Sequence, residues 1–123
     1  MTEKIGVFSS EIIKLLNLNI PAGTAIYIGN TNHNHMKKRH PRDYEKYIGR
    51  IDKIISFPDF VGMNDDDGSI EFIKTFSKNV KVAVRIAADG NYFARTLYEI
   101  HTNRVKNFIK DGKLLSIDKN IKT

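Results

Sequence analysis

The sequence of 123 residues contains no cysteine, and none of its apolar runs approaches the roughly 20 residues that are needed to span a bilayer. The absence of cysteine excludes a disulfide framework and thiolate metal sites, and it gives no indication of the redox compartment. The amino terminus, Met-Thr-Glu-Lys, lacks the basic and then apolar build of a secretory signal. We therefore expect a cytoplasmic protein without a membrane partner.

Acidic residues are fewer than basic ones. The chain carries 14 Asp and Glu against 20 Lys and Arg, which gives a formal net charge of +6 and a sequence pI of about 9.6. This excess favours a polyanionic partner, either a nucleic acid or an acidic protein, although a Lys-rich surface also serves solubility alone. Because 41% of the residues are hydrophobic and no repeat divides the chain, residues 1–123 are predicted to form one domain.

Between Gly29 and Arg42 the chain has one clearly apolar residue, Met36, and three of its four histidines. Core packing does not require such a composition. Imidazole can both take and give a proton near neutral pH, and clustered ammonium and guanidinium groups bind phosphate. The segment therefore predicts chemistry on a phosphodiester. Its ionisable side chains belong to His33, His35, Lys37, Lys38, Arg39, His40 and Arg42.

The flanking residues predict the local structure of this segment. A helix is predicted from about Ser10 to Leu18, and the β-branched and aromatic stretch Thr24–Gly29 is typical of a strand. The polar segment is therefore expected to leave the end of that strand as a loop. A second helix is predicted from Pro41 to Ile55, because proline suits the first helical position and apolar residues follow at helical spacing. Since proline disfavours the α region for its predecessor, His40 is expected at the cap.

Beyond Pro58 the apolar period changes to two, which indicates strands. Strands are predicted over residues 60–63, 70–76, 80–86 and 92–100, with turns between them that suit hairpins. In the last strand, strict alternation would place one set of side chains on each face of the sheet. The two sets are Tyr92, Ala94, Thr96 and Tyr98, and Phe93, Arg95, Leu97 and Glu99.

A last helix is predicted from near Thr102 to Gly112. The order of elements predicts an α+β fold, because successive hairpins make an antiparallel sheet and amphipathic helices must cover one of its faces. The expected architecture is a four-stranded antiparallel sheet with helices packed on one face and the other face partly open.

The order and spacing of short motifs resemble a known family. The motifs are Ile26-Tyr27-Ile28, His35, Arg39-His40-Pro41, the run from Tyr47 through Ile55-Ser56-Phe57-Pro58-Asp59, Ile70-Glu71-Phe72-Ile73-Lys74, Val82-Ala83-Val84-Arg85 and Tyr92-Phe93-Ala94-Arg95-Thr96-Leu97-Tyr98. Together they are similar to the phage members of the barnase-EndoU-colicin-RelE-like nuclease group (PBECR). The resemblance covers about residues 25–114.

This resemblance implies a metal-independent ribonuclease without a cofactor, of the kind used by phage-encoded effectors and bacterial toxins. It implies catalytic groups at His35, His40, Arg85 and Thr96. RNA, either a tRNA or a messenger, would be the substrate, and an acidic inhibitor protein would be a further partner. The side chains expected to bind the substrate are Lys37, Lys38, Arg39, Arg42 and Tyr98.

The chemistry of such a site can be stated from its groups. Cleavage of RNA through its own 2′-hydroxyl requires a base, an acid and donors around the phosphorane. Two imidazoles and a guanidinium are sufficient. The sequence does not assign the base and the acid between His35 and His40.

Other interpretations of the same residues stay open. His33, His35 and His40 could hold a metal, although their spacing matches no standard site. The histidines could be solvated surface residues, or His40 only a cap. His101 is expected to be structural. The main functional alternative is a non-catalytic module that binds RNA or another polyanion.

Overall fold

The fold is built around one mixed sheet of seven strands in a computed structural model that describes residues 2–117. The order across the sheet is β1-β2-β6-β5-β4-β3-β7, and every neighbouring pair is antiparallel except β2 and β6, which are parallel. The strands are β1 (Thr2–Val7), β2 (Ala25–Gly29), β3 (Phe60–Met63), β4 (Ile70–Thr75), β5 (Asn79–Ile86), β6 (Tyr92–Glu99) and β7 (Leu114–Ser116). The helices are α1 (Ser10–Leu16), α2 (Asn30–Arg39), α3 (Pro41–Tyr47), α4 (Ile51–Ser56) and α5 (Thr102–Lys110).

The α+β class is confirmed, but the prediction of a four-stranded antiparallel sheet is wrong. The central meander of β3 to β6 was predictable because its strands alternate clearly and are joined by turns. The sheet is extended by β1 and β7 at its two edges and by β2, which pairs with β6 through Ile26 opposite Tyr92 and Tyr27 opposite Phe93. Edge strands are half-solvated, so their apolar pattern is weak, and parallel pairing depends on distant residues.

The predicted helix from Pro41 to Ile55 is divided into α3 and α4 by a 3-10 turn over Ile48–Arg50. Gly49 lies in the middle of that turn, and glycine is the weakest helix former after proline. The division is compatible with the core, because Tyr47 before it and Ile54 after it are both fully buried. No helix within residues 2–117 is long and apolar enough to cross a membrane.

The main core lies between one face of the sheet and the helices α1, α3 and α4. Phe8 is completely buried there, with its ring centroid 6.0 Å from that of Phe72 and 5.0 Å from that of Tyr92. On the opposite face, α5 covers only one end of the sheet, where Ile73 packs with Val105. The helices therefore do not all lie on one face. We call the part of this sheet face that α5 leaves uncovered, over β5 and β6, the open face.

A β-bulge in β6 changes which side chains reach the open face. Ala83 pairs with Thr96, but its neighbour Val84 pairs with Ala94, so Arg95 is an extra residue without a counterpart in β5. Ala94 and Leu97 both enter the core as a result. The prediction of strict alternation in this strand is wrong beyond Arg95. The open face of β6 presents Phe93, Thr96 and Tyr98, which pair with Arg85, Ala83 and Lys81 of β5.

Gly62 in β3 allows β7 to approach closely. A Cβ atom at this position would collide with the carbonyl oxygen of Lys113 and lie 2.9 Å from Leu114 Cδ2. We expect Gly62→Ala to lower the free energy of unfolding by about 1–3 kcal/mol, the usual effect of overpacking. Urea denaturation measures this change. Gly49→Ala is the matched control, because outside its own turn no atom of residues 2–117 lies within 4 Å of its added Cβ. Equal stability of the two variants would contradict the packing of β7 on β3.

Candidate functional site

The histidine-rich segment is a helix, so the prediction of a loop is wrong. It forms α2, which begins directly after β2, with Gly29 as its N-cap residue. The side-chain oxygen of Asn32 accepts a hydrogen bond of 2.9 Å from the Gly29 amide. Met36 is 1% exposed and joins the main core. This single apolar side chain anchors the helix, and the polar side chains around it are left on the surface or beside β6.

His40 connects α2 to α3, as the sequence predicted from Pro41. Its amide donates to the Met36 carbonyl at 2.9 Å, and its carbonyl accepts from the Tyr44 amide at 2.8 Å. The side chain makes no capping hydrogen bond. Instead, its ring stacks on Tyr98 with centroids 4.6 Å apart and planes at 13°. Within residues 2–117 no group hydrogen-bonds its ring nitrogens, so both remain available for proton transfer.

Tyr98 also contacts a nearly buried lysine. The Lys81 ammonium lies 5.0 Å from the centre of the Tyr98 ring and 3.2 Å from Glu71 Oε2. The side chains of Lys81 and Glu71 are only 9% and 11% exposed. Burial alone would lower the pKa of Lys81, but the Tyr98 hydroxyl and the Glu71 carboxylate outweigh it and leave that pKa raised. The Glu71 carboxylate therefore stabilises the charged form of Lys81, and no local sequence feature distinguishes this lysine.

His35 lies in the middle of α2. Together with Phe93 and Arg95 of β6 it lines a cavity of about 510 Å³. Its side chain is exposed, and no group within residues 2–117 hydrogen-bonds its ring. His35 and His40 therefore lie beside different positions of the same strand, one near Arg95 and the other against Tyr98. Thr96 lies between these two positions in the chain.

The two remaining histidines have structural partners. His33 Nδ1 is 2.7 Å from the Tyr44 hydroxyl, and the two rings form an edge contact with centroids 5.8 Å apart. His101 Nδ1 accepts a hydrogen bond of 3.1 Å from the Asn103 amide and caps α5. These contacts distinguish them from the free imidazoles of His35 and His40. Within residues 2–117 no three His, Asp or Glu side chains are placed to hold one metal ion.

Arg85 and Thr96 lie on the open face, and within residues 2–117 neither forms a hydrogen bond with one of the two free imidazoles. Arg85 Nη1 is 3.5 Å from Asp67 Oδ2, and both side chains are more than a third exposed, so this ion pair is weak. Thr96 Oγ1 is buried and is the one buried side-chain polar atom within residues 2–117 that lacks a hydrogen-bond partner. The hydroxyl would have to rotate to reach a ligand on the surface.

The basic side chains predicted to bind substrate surround His40. Lys38, Arg39 and Arg42 are exposed, and within the described part of the chain none forms an ion pair. Lys37 is also exposed, and its ammonium lies 5.4 Å from the centre of the Tyr44 ring. The segment around the α2–α3 junction therefore carries four exposed cations that form no ion pair within residues 2–117.

Glu99 fastens α3 to β6 next to Tyr98. The Tyr47 hydroxyl donates a hydrogen bond of 2.6 Å to Glu99 Oε2, and the Glu99 amide donates one of 3.0 Å to Asp43 Oδ2. The Tyr47 hydrogen bond, aided by the nearby Lys46 ammonium, lowers the pKa of Glu99. Because α3 begins directly after His40, these contacts hold the His40 ring against the strand.

The Glu99 contacts predict a pH dependence of stability. Since the folded pKa of Glu99 is below its ordinary value of 4.5, the unfolded chain binds more protons as the pH falls. The stabilisation is complete above the unfolded pKa and is lost as the pH falls through the folded one. We expect Glu99→Gln to flatten the decline in free energy of unfolding as the pH falls below the ordinary carboxyl pKa of 4.5. Glu45→Gln, which removes an exposed carboxylate from α3, is the control for net charge; an unchanged decline in Glu99→Gln would contradict the assignment.

These features define a class: small α+β proteins in which free imidazoles and exposed cations lie beside an uncovered sheet face and suit nucleic-acid phosphates. The chain belongs to the family described as phage-Barnase-EndoU-ColicinE5/D-RelE like nuclease 3 (PBECR3), whose model matches residues 3–107. The predicted membership of the PBECR group is thereby confirmed, and the match extends to β1 and α1. Neither a curated protein nor a solved structure matches the chain. Membership indicates a nuclease with a nucleic acid as substrate.

Proposed function

We propose that this protein is an endoribonuclease that cleaves RNA by general acid-base catalysis through the 2′-hydroxyl, without a metal. The observation that carries the proposal is the environment of His40. Its imidazole has no hydrogen-bond partner within residues 2–117 and is stacked on Tyr98. Exposed cations without ion pairs lie next to it in the chain. A ring that is fixed in place yet free at both nitrogens is suited to proton transfer.

His35 and His40 would share the two proton transfers. One imidazole takes the proton from the 2′-hydroxyl, the 2′-oxygen attacks phosphorus, the bond to the 5′-oxygen breaks, and the other imidazole protonates that oxygen. The products are a 2′,3′-cyclic phosphate and a 5′-hydroxyl end. For this the scissile phosphate would have to lie between the imidazole in α2 and the imidazole at the α2–α3 junction. Each transfer would contribute about 10²- to 10⁴-fold to the rate.

Other side chains would bind the phosphate and its neighbours. Arg85 would exchange its weak contact with Asp67 for a phosphate oxygen, since a charge-assisted bidentate pair is stronger than an exposed ion pair. Thr96 would gain its missing hydrogen-bond partner by rotating towards the same phosphate. Tyr98 would hold His40 in position and contact the substrate. The exposed cations that would hold the RNA backbone are Lys37, Lys38, Arg39 and Arg42.

A second candidate is a non-catalytic RNA-binding module. It is favoured by the ion pairs of Arg85 with Asp67 and of Lys81 with Glu71. A cation that already has a carboxylate partner is less available to stabilise the charge that develops on a phosphorane. Incubation with total RNA in EDTA separates the possibilities. Cleavage that leaves 2′,3′-cyclic phosphate ends supports the proposed nuclease, cleavage that EDTA abolishes supports a metal enzyme, and intact RNA with retarded migration supports binding alone.

The proposal extends to the biological setting that the family name suggests. A phage- or toxin-associated ribonuclease would act in the cytoplasm on a tRNA or a messenger. The cell that produces it would then need an inhibitor, and an acidic surface on that inhibitor would complement the net charge of +6.

A further inference from the structure

Among the described residues that line the cavity beside the start of α2, none carries a carboxylate. Its wall combines the guanidinium of Arg95, the imidazole of His35, the ring of Phe93, and hydroxyl and amide groups that include those of Thr31 and Asn30. Its volume of about 510 Å³ lies within the range of about 300–1,000 Å³ that is usual for small-molecule sites. The cavity can therefore hold one nucleotide, and its polar groups suit an anion.

Arg95 differs from the other two cations on the strands of the open face. Lys81 is paired with Glu71 and Arg85 with Asp67, whereas Arg95 has no ion pair or hydrogen bond within residues 2–117. It is also only partly exposed. A sheltered guanidinium without a counterion loses hydration and gains nothing in return, unless an anion binds beside it. The β-bulge at Arg95 directs this extra side chain to the cavity.

Phe93 supplies an aromatic surface in the same cavity. It is partly exposed, and its ring centroid is 5.9 Å from that of Tyr27, which pairs with it in the parallel neighbour strand. Tyr27 therefore supports the Phe93 ring from the side. Aromatic rings that are held in this way bind nucleobases by stacking, with little dependence on the identity of the base.

We propose that this cavity binds the nucleotide next to the scissile phosphate, with its base stacked on Phe93 and its phosphate held by Arg95. The inference rests on the proposed function, because RNA is taken as the ligand and His35 joins the cavity to the reacting phosphate. It gives Phe93 and Arg95 a role in substrate binding, whereas neither takes part in the proposed proton transfers. A single strand would then run from Arg95 past His35 to His40.

The test measures the equilibrium binding of a 2′-O-methyl tetranucleotide, which cannot be cleaved. Fluorescence anisotropy gives the Kd at several salt concentrations. Arg95→Met should weaken binding about 10-fold or more, as expected for loss of a charge-assisted hydrogen bond. The slope of log Kd against log salt should decrease by about 0.7, the value for one phosphate contact on a single strand. Arg95→Lys should keep the slope and lose part of the affinity.

Phe93→Leu should weaken binding about 5- to 100-fold without a change in the salt slope, because stacking on a base is not ionic. The matched controls are Phe57→Leu, at an exposed phenylalanine, and Lys14→Met, at an exposed lysine of α1. If Arg95→Met and Phe93→Leu bind like these two controls, the cavity is not a nucleotide site. Because this RNA cannot be cleaved, the binding result is independent of whether the protein is a nuclease, and cleavage in EDTA tests that claim separately.

Discussion

Replacement of His40 by alanine is expected to lower the rate of RNA cleavage by about 10²- to 10⁴-fold, the usual contribution of a general acid or base. The fold should tolerate the change. The ring makes no hydrogen bond within residues 2–117, so its removal costs only the stacking contact with Tyr98, which is worth about 0.5–1.5 kcal/mol. Initial rates on an RNA oligonucleotide in EDTA, together with thermal unfolding, measure both effects.

His101→Ala is the matched control for this variant. His101 also stands at the start of a helix, and its side chain caps α5, so its loss should cost about 1 kcal/mol of stability and leave cleavage unchanged. The pH profile adds a second readout, because a bell-shaped dependence of kcat/KM should lose one limb in His40→Ala. If His40→Ala unfolds the protein, or cleaves RNA as well as His101→Ala does, His40 is structural and the proposed mechanism is wrong.

The helix α2 shows why the structure of the histidine-rich segment could not be predicted from its sequence. Three histidines and a run of cations are visible in the sequence, and they do mark the segment that lies beside the open face. Helices are recognised by an apolar stripe, and α2 has only Met36. Its formation depends on docking Met36 into the core and on its contacts with β6 and α3, which are tertiary effects.

The meander was predictable for the opposite reason. In β5 the valines at 80, 82 and 84 alternate with polar or small residues, and turn residues separate the strands, so local pattern and final structure agree. The bulge at Arg95 interrupts this agreement in β6. Its one signal in the sequence is that Ala94 and Leu97, the two small or aliphatic residues of the strand, are three positions apart rather than two. Strict alternation would place Thr96 on the same face as Ala94, whereas the bulge places the two on opposite faces.

The charged pairs of the site could not be predicted, because they join residues from different strands. The sequence places Lys81 on the same face of β5 as Arg85, but nothing local indicates that Lys81 is buried and meets Glu71 of β4. On that face, the family resemblance implies a catalytic role for Arg85 and not for Lys81. The structure indicates that Lys81, through Tyr98, has the more direct contact with His40.

The ion pair between Lys81 and Glu71 predicts the largest effect on stability. Lys81→Met would leave the Glu71 carboxylate nearly buried without its counterion, and Glu71→Leu would do the same to the ammonium. Each single variant should lower the free energy of unfolding by about 3–5 kcal/mol. The double variant Lys81→Met/Glu71→Leu should be within about 1 kcal/mol of the wild type, because an apolar pair of similar volume can replace a buried ion pair. Urea denaturation of the four proteins gives the coupling energy.

The double variant also separates folding from catalysis at this position. If Lys81 supports Tyr98 and thereby positions His40, the stable double variant should still cleave RNA about 10²-fold more slowly, since a displacement of about 1 Å in a catalytic group has that effect. Lys14→Met/Glu11→Gln, which removes one exposed cation and one exposed carboxylate from α1, is the control for the loss of two charges. A double variant that is stable and fully active would show that the Lys81 ammonium serves the fold alone, and equal stability of all four proteins would show that the pair is not buried.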